Sequence, residues 1–529
     1  MFAKIRELST NVTIYGLGDV AVSVVNFFLL GLYVKYFTPG DYGVIGILGS
    51  LEVIAKIVFR FGLDGSFMRF FYDSDRPEDR RRLASTIFFF LLAVNGTVLA
   101  VLLIAAPAMA AALLGSRTHT TALRFMLVNT FAIGFTFIPF HVLRIERRTV
   151  TFSVMTLTRA VATIFVRLAL VVWFGMGITG LYLADVLVTA GVMIALARWF
   201  APLIRPVFSG HVLRETLAFG LPRLPHAAAQ QVIAVGDKFI LTLLRVGMDN
   251  VGVYSMAVSF GLTQKLFLSA FESAWAPFYY ATIREPDATR TFRVITTYGI
   301  AVLALLTAGL SAVGREAAQA MTHGFLLAPD DPRWADVSTV ITWTAIGVFF
   351  QGVYLLTSIG LNITKRTQYY PVATVTAAAV NVALNFLLIP RYGLAGAAWA
   401  NGAAYALQAA LGYHLSQRFY PIDYERGRIA RVCGAAAIAA VVARLLPSIR
   451  LVADPRSSLA PVPDLLARGL TVIVVYVGLL AATGFFHPGE LRQLGRLRRR
   501  GQAAPSHVRA ADSTEMAGEI VATDVEVPE

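Results

Sequence analysis

The sequence predicts an all-α integral membrane protein of about fourteen transmembrane helices, arranged as two six-helix lobes followed by two extra helices. Three observations predict it. Of 529 residues 57% are apolar and only 15% charged, against about 25% charged in a soluble domain. Mean hydropathy is +0.65, and apolar runs of about 20 residues, the length that crosses a bilayer, recur along nearly the whole chain. Motifs recurring at a near-constant offset divide the first twelve runs into two sets of six.

The expected spans lie at roughly 12–36, 42–63, 84–106, 121–143, 152–174, 177–200, 216–243, 250–279, 291–312, 337–360, 369–389, 393–417, 429–447 and 467–487. Lys4 and Arg6 before the first run resemble a signal peptide. The run is too long for one and lacks a small-residue cleavage site, so it reads as a retained span. Pro139, Pro222 and Pro225 fall inside later spans, where neighbouring groups satisfy the freed carbonyls. Barrel strands would be about 10 residues with alternating polarity, which these runs are not. The stretch 491–529 opens with the basic cluster Arg492, Arg496, Arg498, Arg499 and Arg500 and continues poor in large apolar residues. It reads as a membrane-surface anchor followed by a disordered tail.

An even span number puts both termini on one side. The loops on that side carry Arg76, Arg80, Arg81 and Arg82, then Arg144, Arg147 and Arg148, then Arg205 and Arg214, Arg284, Arg290 and Arg293, Lys365 and Arg366, and Arg418, Arg426 and Arg428. With the tails this gives about 28 Lys and Arg against about 7 in the opposite loops, so both termini are expected in the cytoplasm. The net charge of +14 is thus a topology signal. Nucleic acid is not an expected partner, because no basic and aromatic module stands outside the spans.

The duplication rests on three pairs. Gly43-Val44 opens span two and Gly252-Val253 opens span eight, each with a lysine thirteen residues past the glycine, Lys56 and Lys265. Ile145-Glu146-Arg147-Arg148-Thr149 answers Ile363-Thr364-Lys365-Arg366-Thr367. Gly177-Ile178-Thr179-Gly180 with Ala184-Asp185 answers Gly393-Leu394-Ala395-Gly396 with Ala400-Asn401. The offsets are about 209, 218 and 216 residues, which makes residues 1–205 one lobe, 206–420 the second, and 421–490 an addition. Six is even, so the copies share a topology and enclose a cleft about an axis along the membrane normal.

A charge at lipid depth costs about 2.5–3.5 kcal/mol, so each one present is expected to be paired or to line a wet cavity. Asp19, Glu52, Lys56, Arg60, Arg159, Arg167, Asp185, Arg223, Asp237, Lys238, Lys265 and Glu272 all fall inside expected spans. Glu52, Lys56 and Arg60 share one helical face. They read either as a self-paired triad with Arg60 reaching the rim or as cavity cations. Lys56 and Lys265, related by the duplication, are expected to converge on one anion. Arg159 and Arg167 lie eight apart on nearly one side of span five, and Arg223 sits between Pro222 and Pro225, where irregular backbone marks a lined cavity. Asp19 and Asp185 either carry a coupling ion or neutralise nearby arginines. Asp237 and Lys238 read as a structural pair, and Trp275, Phe278, Tyr279 and Tyr280 as an aromatic belt or, failing that, a sugar platform. One cysteine, Cys433, leaves no internal disulfide and no cysteine metal cluster. No zinc motif, P-loop or nucleotide fingerprint is present, so no metal, cofactor or ATPase activity is expected.

Phe219-Gly220-Leu221-Pro222, Gly236-Asp237-Lys238-Phe239-Ile240-Leu241, Val251-Gly252-Val253-Tyr254-Ser255, Ala274-Trp275-Ala276-Pro277-Phe278 and the run from Tyr392-Gly393 to Trp399-Ala400 resemble the polysaccharide-export flippases. These are O-antigen and exopolysaccharide repeat-unit transporters of the multidrug/oligosaccharidyl-lipid/polysaccharide superfamily. The resemblance implies a non-enzymatic, alternating-access transporter that moves a polyprenyl-diphosphate-linked oligosaccharide to the outer leaflet. It also implies a cationic central cavity and work alongside a polymerase and glycosyltransferases. Lys56, Arg60, Lys265, Arg223, Arg167 and Arg159 are the residues in this sequence expected to meet the diphosphate within surrounding membrane lipid. A lipid II flippase fits the same features. A multidrug and toxin extrusion antiporter would favour an acidic cavity, and a membrane glycosyltransferase would need a catalytic constellation that the outer loops Val313 to Ala335 and Pro447 to Ala467 lack.

Overall fold

The computed structural model describes residues 33–73, 76–146, 148–322, 327–448 and 459–487. Most of the expected first span, with Asp19, and the basic cluster and tail lie outside the described residues. Among the described residues the structure is helical, without strands: α1 (Pro39–Arg60), α2 (Leu63–Tyr72), α3 (Pro77–Leu114), α4 (Thr120–Ile145), α5 (Thr149–Leu168), α6 (Gly177–Phe200), α7 (Gly210–Gly220), α8 (Leu224–Leu243), α9 (Met248–Gly261), α10 (Gln264–Thr282), α11 (Ala288–Thr322), α12 (Trp334–Thr357), α13 (Ile359–Ile363), α14 (Tyr370–Phe419), α15 (Arg426–Leu445) and α16 (Val462–Ala482). Every described expected span has its helix, because backbone in hydrocarbon must bond to itself.

The breaks were less legible. The span expected over 216–243 divides into α7 and α8 at the 3-10 turn Leu221–Arg223, where Pro222 lacks the N–H that an unbroken ladder needs. The span expected over 250–279 divides at Leu262 and Thr263 into α9 and α10. Spans eleven and twelve run together as the 50-residue α14, bent where Gly393 takes a non-helical backbone. Nine helical stretches among the described residues are long and apolar enough to cross a membrane. Of the split spans, α7 and α9 are too short while α8 and α10 are long enough but too polar, and α15 carries Arg426, Arg428, Arg431 and Arg444.

In the first lobe α4 is central and packs on α1, α3, α5 and α6. In the second, α14 packs on α8 and α12, and α12 on α9 and α11. The added helices α15 and α16 pack on each other and on α11. Buried Arg428 holds Glu425 at 2.9 Å and the Phe485 carbonyl at 2.8 Å, while Arg468 grips Glu316 of α11. The repeat-related glycines Gly177 and Gly393 both adopt φ of 54°, a positive-φ backbone that glycine enters freely and side-chain-bearing residues rarely adopt.

The lobes meet chiefly where α1 crosses α9 and α8. α1 opens with a capping box, Thr38 N–H donating to Asp41 at 2.9 Å and Asp41 N–H to the Thr38 hydroxyl at 3.2 Å. Its first turns then lie backbone to backbone against α9. A Cβ on Gly252 would stand 1.8 Å from the Pro39 carbonyl oxygen, and one on Gly43 would stand 2.3 Å from that of Met248. The two glycines matched in the duplication therefore form the seam between the copies. Past the far end of α1, α2 meets α7. There the Ser66 hydroxyl donates to the Thr216 carbonyl at 2.9 Å, and Arg69 lies 4.6 Å over the Phe219 ring.

Gly252→Ala is expected to destabilise the protein by about 1–3 kcal/mol through overpacking at the seam, read as a lower thermal unfolding midpoint in detergent. Gly49→Ala, on α1 with nothing within 4 Å of an added Cβ, is expected to be neutral or slightly stabilising.

Candidate functional site

Five of the expected site residues gather in the first lobe, on α1, α5 and α6. Lys56 bonds Glu52 one turn earlier at 2.7 Å. Arg60 bonds Asp64 at 2.7 Å across the break between α1 and α2. Arg167 of α5 holds Asp185 of α6 with two parallel bonds, Nε to Oδ1 at 2.8 Å and Nη2 to Oδ2 at 2.7 Å. This fork geometry is what guanidinium and carboxylate do best. Tyr33 and Tyr182 are within electrostatic range of both charges of that pair.

Arg159 completes the group. It lies two turns before Arg167 on α5, within electrostatic range of Asp185, Glu52 and Arg60. No carboxylate among the described residues stands within ion-pair distance of it. The cluster thus holds four cations and only three carboxylates in direct pairs with them, and the uncompensated cation is Arg159. Of the two readings open for Asp185, the geometry is that of neutralising an arginine.

The second lobe does not mirror this. Lys265 lies at the start of α10, just past the break. Among the described residues it has no ion-pair partner, and Glu272 lies within electrostatic range of it. Helices α1 and α10 share no extensive packing, and Lys56 is paired within its own helix. Asn401, the counterpart of Asp185, uses its amide to donate to the Ile233 carbonyl at 2.7 Å. Arg223 ends the 3-10 turn between α7 and α8.

Asp237 and Lys238 are not an ion pair. The Tyr254 hydroxyl donates to buried Asp237, whose other oxygen accepts the Lys238 backbone N–H at 2.8 Å, while the Lys238 stem runs toward Gly46 of α1. Trp275 is 1% exposed within the second lobe's core, stacked on Phe278 at 5.8 Å between ring centroids. It is neither an interfacial belt residue nor an open sugar platform.

Asp64 and His141 escaped sequence reading. Asp64 continues the four-residue series Glu52, Lys56, Arg60, and that spacing was the available signal. His141 of α4 comes within 3.5 Å of Asp64 through tertiary packing alone. Burial opposes the charge on Asp64, but His141 and Arg60 together hold its carboxyl below the ordinary value. No group of three or more His, Cys, Asp or Glu among the described residues is placed to hold a metal ion.

A family model described as "Polysaccharide biosynthesis protein" matches residues 35–318, more than half of the chain. No curated protein matches it. Among solved structures, an inward-facing multidrug resistance MATE family transporter of the MOP superfamily superposes with a TM-score of 0.63 at 15% identity, covering 81% of this chain and 98% of that one. The lipid II flippase MurJ in an inward closed conformation gives 0.65 at 14% identity, covering 88% and 99%. A MATE structure in the straight conformation gives 0.54 at 15%, covering 81% and 96%. These likenesses show that the chain shares the fold of those structures.

Asp185→Asn is expected to cost about 3–5 kcal/mol by leaving Arg167 without its countercharge. Combining it with Arg167→Gln should recover part of the loss. A double-mutant cycle on thermal unfolding in detergent reads this coupling, and zero coupling would mean that the pair does not hold α5 to α6.

Proposed function

The chain belongs to the polysaccharide biosynthesis protein family, and from that premise we propose that it is a flippase. Its substrate on this reading is a polyprenyl-diphosphate-linked oligosaccharide, carried from the cytoplasmic to the outer leaflet of a bacterial inner membrane with both termini in the cytoplasm. Residues 1–205 and 206–420 are its two moving lobes, 421–490 an added pair of spans and 491–529 a cytoplasmic tail. A polymerase and glycosyltransferases supply and consume the substrate.

The observation that carries this reading is the excess of cations over paired carboxylates at membrane depth in the first lobe, centred on Arg159. A diphosphate leaving water loses hydration worth many kcal/mol, and fixed guanidinium and ammonium groups are what replace it. On this reading Arg159 makes first contact. Lys56 and Arg60 turn from their own carboxylates to the phosphates, and Lys265 and Arg223 approach from the second lobe as the lobes rock. Arg167 keeps Asp185 and fixes the angle of α5. The seam at Gly43 and Gly252 is the pivot, since backbone contact without side chains permits a small rotation without repacking. Transport of lipid II is the second reading, favoured by the 88% of this chain that overlays the lipid II flippase.

Lys56→Ala with Lys265→Ala is expected to abolish surface polysaccharide while the protein still inserts, scored by polymer staining and membrane immunoblot. Normal polymer would remove both lysines from the site. Rescue of cells depleted of their own lipid II flippase would favour the second reading.

A further inference from the structure

Asp64 sits between two cationic or potentially cationic groups and satisfies only one of them. Its Oδ2 accepts from Arg60 at 2.7 Å. Its Oδ1 is shielded from solvent with no hydrogen-bond partner, and both ring nitrogens of half-buried His141 are likewise without one. The His141 Nε2 stands 3.5 Å from that open oxygen, with its ring stacked on Phe67 at 6.3 Å and edge-on to Phe137 at 5.9 Å. A solvent-shielded carboxylate oxygen beside an unbonded imidazole leaves both groups short of the bonds that water would give them. One proton on the imidazole would answer both with a charge-assisted bond.

The surroundings leave these groups to one another. On the elements packed against α4, Arg60 of α1 is bonded to Asp64 and Lys56 to Glu52. On α2, Arg69 faces Asp73 at 3.8 Å. Arg80 of α3 covers the Phe71 ring, and on α6 Arg198 stacks on Trp199 while Asp185 is held by Arg167 of α5. Arg159 of α5 feels Arg60 directly. The charges that act on Asp64 are Arg60 and His141.

We propose that His141 and Asp64 form a proton-binding site that exchanges with the transported anion for Arg60. When a diphosphate takes the Arg60 guanidinium, Asp64 loses its partner and His141 takes up one proton from water to replace it. When the anion leaves, Arg60 returns to Asp64 and the proton is released. This rests on the reading of Arg60 as a diphosphate ligand and adds to it one proton bound per anion held. Because the bound proton and the bound anion favour one another, anion binding should strengthen as the pH falls through the range in which the imidazole charges.

The test is titration of the eight histidines by NMR of the full chain, imidazole-labelled and in lipid nanodiscs, with His141→Asn identifying the His141 signal. Removing the competitor by Arg60→Ala should raise the His141 midpoint by about one pH unit, a tenfold tighter proton. Saturating wild-type protein with farnesyl diphosphate should move it in the same direction, and Asp64→Asn should abolish both shifts. A His141 midpoint unmoved by Arg60→Ala, or unmoved in wild type while farnesyl diphosphate is demonstrably bound, would overturn the proposal. Should Arg60→Ala misfold, Arg60→Gln and the wild-type titration decide the matter. Equal farnesyl diphosphate affinity in wild type and Arg60→Ala would instead overturn Arg60 as a ligand, a result separable from the His141 titration.

Discussion

Positive charge held in hydrocarbon has to be answered by something, and the organisation of the first lobe follows from how it is answered. Arg167 is met by a fixed carboxylate on the neighbouring helix, which ties α5 to α6 and sets the direction of that helix face. Lys56 and Arg60 are met by carboxylates four residues away along the same stretch of chain. Such local pairs are weak anchors, because each side chain retains the freedom to swing to a better anion. Arg159 is met only at a distance. The cluster therefore grades from a permanently committed cation to an uncommitted one within a few helical turns.

Much of the architecture could be read from the chain because its determinants are local. An apolar run of bilayer length needs no tertiary information to become a helix, so the described spans appear where the runs are. The duplication was legible too: the residues matched at Gly43 and Gly252, and at Gly177 and Gly393, hold equivalent backbone roles in the two halves. Proline and glycine marked irregular backbone at Leu221–Arg223 and at Gly393, and Gly261 stands just before the interruption at Leu262 and Thr263, although that glycine alone did not announce a break. The candidate cations on α1 and α5 came from counting charges, which needs no structure. Their partners did not. Asp64 lay one step beyond the point where the series of charges was followed, and His141 reaches it only because α4 packs across α1 and α2.

The two copies have diverged in charge while keeping their frame. Where the first has Asp185 engaged with arginine, the second has Asn401 bonded to a backbone carbonyl. Where the first has an unbroken α1 carrying Lys56, the second interrupts the equivalent helix just before Lys265. Symmetry thus survives at the seam, where two backbones must touch, and is lost where side chains do different work.

That interruption has a mechanical corollary. α9 is clamped by its backbone contact with α1, whereas among the described residues α10, beyond the break, has its main packing on α11 and α12 of its own half. A rigid rod clamped at one end transmits every tilt along its full length, but a jointed one lets the distal segment follow a different partner. The ammonium of Lys265 is mounted on the free side of that joint, so it can travel with one half of the molecule while the clamped segment stays with the other.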